Sequence, residues 1–225
     1  MQRVDNQASA RERGTALSAA ASVTGHDNSG PILEFYREFA KAEQCVVAGS
    51  VRLAVDGNIY NSMAFIGPDG EMLAAYHKTN LTVGEIEEGL RSGGGAVVVD
   101  SPVGRLGGVI CFDLDFETLR DEYIALRPEI LTFSTMYQGG LAQALWAYAC
   151  RSYLVSALPF LGGGIIDPCG RPMQLTDEYN KPAIATINLD YVIVHLDYNR
   201  EKFPDILRKY NDEIIMTYPH MSVRR

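Results

Sequence analysis

Residues 107–116 read Gly107-Gly108-Val109-Ile110-Cys111-Phe112-Asp113-Leu114-Asp115-Phe116, an apolar run that ends on a cysteine and then turns polar. The run extends back to Arg105 and reads as a buried strand leading straight into Cys111. The residues after it read as a helix start, with Asp113 placed to cap it. A thiol at a helix N-terminus lies near unpaired N–H groups and the positive end of the backbone dipoles. Both favour the thiolate, which is the reactive form. The same N–H groups can stabilise an oxyanion, as in a strand–turn–helix nucleophile elbow. Taken alone, Cys111 reads more readily as a small buried hydrophobe, the common fate of a free cysteine.

Outward from this stretch, strands and helices alternate. Pro31 opens a helix whose face is Ile32, Leu33, Phe35, Tyr36, Phe39 and Ala40, recurring at three- and four-residue steps. Residues 46–53, 58–66 and 72–77 read as strands, the last two joined by the turn Gly67-Pro68-Asp69-Gly70. A long loop rich in Gly and Glu fills 78–95, and 96–100 is a short strand. Helices over 116–125 and 141–151 flank a strand at 130–133. Leu145 and Trp146 lie on the apolar side of the second helix. Strands at 153–157, 164–167, 171–175 and 184–189 follow. Early alternation and later hairpins predict an α/β layered sandwich of mixed sheets with helices outside. Residues 1–20 read as a poorly ordered lead, and their polar composition persists to about residue 29.

Of the 225 residues, 47% are apolar and 21% charged, so the chain is long and apolar enough to bury a sizeable core rather than stay disordered. Lys plus Arg is 20 against 28 for Asp plus Glu, a net charge of −8, which argues against a nucleic-acid partner. No apolar run approaches the roughly 18 residues of a membrane span. The N-terminus lacks the apolar core of a signal peptide. Cys45, Cys111, Cys150 and Cys169 form no CxxC pair and read as reduced thiols of a cytoplasmic protein. His26, His77, His195 and His220 are scattered, with no metal-ligand spacing.

Several further segments stand in a fixed order. They are Tyr76-His77-Lys78-Thr79-Asn80-Leu81, Gly84-Glu85, Gly104-Arg105-Leu106-Gly107 and Val109-Ile110-Cys111-Phe112-Asp113, then Phe116. This series resembles the carbon–nitrogen hydrolase (nitrilase and amidase) superfamily. The likeness continues through Tyr60-Asn61 and Pro68-Asp69-Gly70 upstream, and through 165–171 and 187–190 downstream. The resemblance implies a four-layer α-β-β-α sandwich, two mixed sheets flanked by helices. It places a partial hydrolase domain at 21–197 and a C-terminal extension, related to dimer formation, at 198–225.

The resemblance also implies roles. Cys111 is the nucleophile, and Lys78 with the backbone N–H of Phe112 stabilises the tetrahedral intermediate. Glu85 positions substrate and lysine. Met136 and Tyr137, after the next strand, line the substrate pocket, with ordinary core packing an equal alternative. The substrate is a small amide, carbamoyl compound or nitrile, cleaved through a thioester without metal or organic cofactor. A homodimer or higher homo-oligomer follows from the same likeness. The family's general-base glutamate, from a Pro-Glu pair after an early strand, has no match here, and the first strand–helix–strand unit is missing. The alternative is therefore an inactive homologue that serves as a binding or oligomeric subunit. Lys78 and Cys111 are expected to approach within about 8 Å, close enough for one substrate to touch both.

Overall fold

The computed structural model describes residues 29–159 and 161–216, so the expected lead at 1–20 lies outside the described residues. Two units divide the chain, Met1–Ile187 and Asn188–Arg225.

In the first unit, helix α1 (Ser29–Glu43) precedes strands β1 (Val47–Val55), β2 (Asn58–Ile66) and β3 (Met72–His77). These strands form an antiparallel sheet in the order β1-β2-β3. Asp56 and Gly57 connect β1 to β2, both at positive φ, 50° and 77°. That is the geometry of a type I′ turn, and it pairs Val55 with Asn58 to set the register of the whole hairpin. Tyr36 and Ala40 of α1 pack on one face of this sheet, against Val47, Val51, Leu53, Ala64 and Ile66.

The second sheet has the order β4 (Val98–Ser101), β5 (Gly104–Ile110), β6 (Ile130–Ser134), β7 (Tyr153–Ala157), β8 (Gly164–Ile166) and β9 (Pro172–Leu175). Its centre, β5-β6-β7, is parallel, and its flanks are antiparallel. Parallel neighbours need crossovers, supplied by α3 (Glu117–Leu126) and α4 (Leu141–Cys150). A short helix, α2 (Val83–Glu87), stands in the loop before β4.

Two adjacent glycines show how the layers stack. Successive strand residues point to opposite faces. A Cβ on Gly107 would lie 2.8 Å from Tyr123 of α3, whereas one on Gly108 would lie 3.1–3.2 Å from Tyr76, Met63 and Phe65 of the first sheet. Sheet packs directly on sheet, and both glycines admit an aromatic ring close to the β5 backbone. The order of layers is α1, first sheet, second sheet, then α3 with α4, the four-layer arrangement the sequence implies.

Away from Cys111, two expectations differ from the structure. Residues 184–189 carry no strand, although their apolar composition favours one; Ile184 is exposed, and no described strand pairs with the segment. Leu145 is also exposed, while Trp146 is buried and donates its indole N–H to the Leu114 carbonyl at 2.7 Å. The second unit contains a 3-10 turn at Arg200–Lys202, helix α5 (Phe203–Tyr210) and a second turn at Asn211–Glu213.

Candidate active site

Lys78 extends β3 by one residue, donating its backbone N–H to the Asn61 carbonyl at 2.8 Å. A lysine at a strand end ordinarily leaves the sheet for water. This one is 1% exposed, and its Nζ lies 2.6 Å from Oε2 of Glu85. Burying a lysine charge is tolerated only with such a partner.

The position of Glu85 follows from local sequence. Thr82 is the N-cap of α2 and Glu85 its third residue, the reciprocal capping box of Thr-x-x-Glu. Glu85 Oε2 accepts from Thr82 N at 2.8 Å and from Thr82 Oγ1 at 3.0 Å. Asn61, from β2, donates to Oε1 at 2.7 Å. Burial pushes the Glu85 carboxyl up, but Lys78, Thr82 and Asn61 together outweigh it, and the group is held below the usual carboxylate range. Glu85 thus titrates lower in the fold than in the unfolded chain. Its contribution to stability is complete above the ordinary carboxylate range and is lost as pH falls through the depressed value. Glu85→Gln should cost about 2 kcal/mol near neutrality and progressively less below about pH 4. Urea midpoints from pH 7 to pH 3 test this; a cost that is flat across that window would mean the carboxylate is not held ionised.

Cys111 begins a 3-10 turn, Cys111–Asp115, rather than the α-helix expected there. Phe116 then returns to an extended conformation before α3 starts at Glu117. The α-helical dipole therefore does not act at the thiol. What the structure has instead is backbone strain: Cys111 has φ +49°, in the left-handed region that non-glycine residues avoid at a cost of about 1–2 kcal/mol. Such strain concentrates at functional sites and, in strand–turn–helix elbows, exposes the nucleophile at the strand tip. The first N–H groups of the turn, that of Phe112 among them, have no partner within it.

Asp113 is more than the cap expected from sequence. It accepts from Ile110 N at 3.2 Å, from the Tyr76 hydroxyl at 2.7 Å, and from Asn80 N and Nδ2 at 2.7 and 3.1 Å. It is fully buried, and that burial raises its carboxyl despite the four donors. Tyr76 and Asn80 stand two residues to either side of Lys78, and Asp113 two residues after Cys111. One carboxylate thus ties the lysine segment to the cysteine turn.

Of the remaining expected residues, Phe112 lies in this turn and Met136 and Tyr137 follow β6. Phe112 is 37% exposed, its ring edge-on to Phe116 with centroids 5.0 Å apart. Met136 is 50% exposed. Tyr137 is half-buried, edge-on to Phe133, with its hydroxyl 3.5 Å from Asp115. Cys111, Met136 and Tyr137 all follow the carboxyl ends of parallel strands, where open α/β sheets form their ligand crevices. Sequence reasoning passed over Thr82, Asn80 and Asp115; the Thr-x-x-Glu spacing was the one signal that could have located Thr82. Among the described residues, no group of three His, Cys, Asp or Glu side chains could hold a metal ion, and no helix is long and apolar enough to cross a membrane.

Comparison with known proteins adds to this geometry. The family model described as carbon-nitrogen hydrolase matches residues 12–193. The chain is 29% identical over 201 residues to a deaminated glutathione amidase of Dictyostelium discoideum, covering 74% of this chain and 68% of that protein. It is 25% identical over 191 residues to a chloroplastic omega-amidase of Arabidopsis thaliana, covering 72% and 51%. An omega-amidase of Homo sapiens is 30% identical over 125 residues, covering 51% and 45%. The chain therefore spans from about two thirds to less than half of the length of these relatives. Among solved structures, a carbon-nitrogen hydrolase from Helicobacter pylori superposes with TM-score 0.64 at 17% identity, covering 84% of this chain and 77% of that one. The C. elegans NitFhit protein does so with TM-score 0.61 at 24% identity, covering 84% and 52%. Both are likenesses of fold.

Proposed function

The chain belongs to the carbon-nitrogen hydrolase family, and from that premise we propose that it cleaves a non-peptide carbon–nitrogen bond of a small amide, carbamoyl compound or nitrile through a thioester on Cys111. In this reading the Cys111 sulfur attacks the carbonyl or nitrile carbon. Lys78 and the Phe112 N–H meet the negative charge that develops on the substrate. From an amide or carbamoyl compound the amine or ammonia leaves, taking up the thiol proton, and an acyl group remains on sulfur; from a nitrile the addition gives a thioimidate, which one water converts to the same thioester with loss of ammonia. A further water releases the acyl group as the acid. Glu85 holds the Lys78 Nζ in place. Phe112, Met136 and Tyr137 border the substrate. The observation that carries the reading is the buried Lys78–Glu85 pair, joined through Asp113 to the strained cysteine turn.

The test is ammonia release from a panel of small amides and nitriles, with mass spectrometry of the protein in the presence of each. An acyl mass increment on the peptide holding Cys111 supports the reading. Turnover without any adduct there overturns the thioester route. Thiol mapping gives a second check. Burial pushes Cys150 up to about 12, and burial, with Glu43 adding to it, also raises Cys45. With Cys111 as the nucleophile, alkylation at mildly acidic pH should mark it first; labelling led by Cys45 or Cys169 would count against the assignment.

One observation favours the second reading, an inactive subunit. Among the described residues the one carboxylate paired with Lys78 is Glu85, and its oxygens are occupied by four donors. A carboxylate so engaged is a poor proton acceptor. The ammonia assay separates the two readings. The same family premise carries a cytoplasmic homodimer or higher homo-oligomer. Four free cysteines are in keeping with a reducing compartment, and Leu141, Leu145 and Tyr148 form an exposed stripe on α4. Sedimentation at the mass of one chain would remove the oligomer.

A further inference from the structure

The turn that begins at Cys111 ends at Asp115, four residues on. At a rise of about 2.0 Å per residue, the two Cα atoms are separated by roughly 8 Å. Asp115 is exposed and, among the described residues, enters no ion pair. The neighbouring charges are committed elsewhere. Lys78 is held by Glu85, Asp113 by its four donors, and Glu117 by Arg120 at 3.3 Å.

Facing Asp115 is the Tyr137 hydroxyl, at 3.5 Å. Burial first, then the charges of Asp115 and Cys111, push this hydroxyl up to about 12. Tyr137 therefore stays protonated at any physiological pH and donates to the Asp115 carboxylate. The exposed ring of Phe112 lies in the same turn. The turn that the thiol begins thus carries one carboxylate outside any ion pair and the ring of Phe112, and the ring of Tyr137 reaches that carboxylate; a carboxylate with aromatic rings is the combination that holds an organic cation.

We propose that Asp115 and Tyr137 select for a carbon–nitrogen substrate that carries a positive charge, an ammonium or quaternary ammonium group about four to six bonds from the scissile carbon. The cation meets the Asp115 carboxylate and the faces of Tyr137 and Phe112, while the reacting carbon lies at Cys111. An anionic substrate of the same length is repelled. This rests on the reading of Cys111 as the nucleophile, and it adds the substrate class.

The test measures charge preference at the thiol, apart from turnover. Methanethiosulfonates form a disulfide with a thiolate and release methanesulfinate. Their trimethylammonioethyl and sulfonatoethyl forms differ chiefly in the sign of charge. Modification of Cys111 by each is followed by peptide mapping in the full chain. The cation-to-anion rate ratio should fall about tenfold in Asp115→Asn, shrink in high salt, and stay within about twofold of the parent in Glu117→Gln. A ratio that Asp115→Asn leaves unchanged, or that Glu117→Gln lowers as far, overturns the proposal. In parallel, ammonia release is measured from 4-(trimethylammonio)butanamide, neutral 5,5-dimethylhexanamide and the monoamide of glutaric acid. Preference for the cationic amide in kcat/KM, lost in Asp115→Asn, supports the proposal; turnover blind to charge overturns it. Charge-selective labelling with no amide turned over defeats the hydrolase reading and leaves the cation-selective rim standing.

Discussion

Lys78→Met is expected to destabilise the protein by about 3 kcal/mol or more, the cost of leaving one partner of a buried ion pair unpaired. Methionine matches the length of the lysine stem, so little of the loss comes from packing. The loss is electrostatic. Glu85, 16% exposed, retains Asn61 and Thr82 but loses the cation that, with them, outweighs its burial. The double variant Lys78→Met/Glu85→Gln should recover at least half of the deficit, because glutamine keeps the capping geometry and carries no charge. Midpoints of urea unfolding for the two single variants and the double variant close the cycle. A loss under about 1 kcal/mol for Lys78→Met, in the range of a solvated surface pair, would mean that the ammonium is reached by water and that the pair is not buried.

The same residue shows what the sequence made legible and what it did not. The strand from Arg105 into Cys111 is plain from composition, and so is the turn at 67–70, where Gly70 has φ +78° and its N–H donates to the Gly67 carbonyl. Each rests on local chemistry: apolar period in one case, turn residues in the other. Asp56-Gly57 carried an equally strong hairpin signal and extends both strands to the turn. The segment 78–95 reads as a polar loop because Gly and Glu dominate it. Its actual content is a capping box, legible in Thr82-x-x-Glu85, and an ion pair whose burial and third partner, Asn61 of β2, come from the sheet and lie outside any local window. Resemblance brought Lys78 and Glu85 together as roles; the capping box gives the physical reason they meet. The turn after Cys111 failed for the opposite reason. Its composition suits a helix, but Asp113 spends its carboxylate on Tyr76 and Asn80, and this long-range tie holds the chain in a 3-10 turn before α3 can begin. For 184–189, apolar alternation had no described strand to pair with, and strand propensity without a neighbour does not make a strand.

Cys111→Ala should abolish acylation, a loss of about 10⁴-fold or more in the rate of leaving-group release from an activated ester, the scale seen when a nucleophile is removed from a group of residues that act as a unit. With p-nitrophenyl acetate, the parent chain should release close to one equivalent of p-nitrophenol in a burst and then slow sharply. The first step needs a thiolate and a place for negative charge, and Lys78 with the backbone of the turn offers the second. The later step needs a base to activate water. Glu85 is held ionised by Lys78, Asn61 and Thr82 and is depressed in basicity, its Oε2 already accepting from three donors and its Oε1 from one. General-base assistance is worth about 10²–10⁴-fold, so the acyl group should persist on Cys111 long enough to be found by mass spectrometry. A burst that survives Cys111→Ala places the nucleophile elsewhere. Sustained turnover at the burst rate would show that a carboxylate beyond Glu85 reaches the thioester, and the poor basicity of Glu85 would then be the mark of a residue built to hold the lysine while another moves the proton.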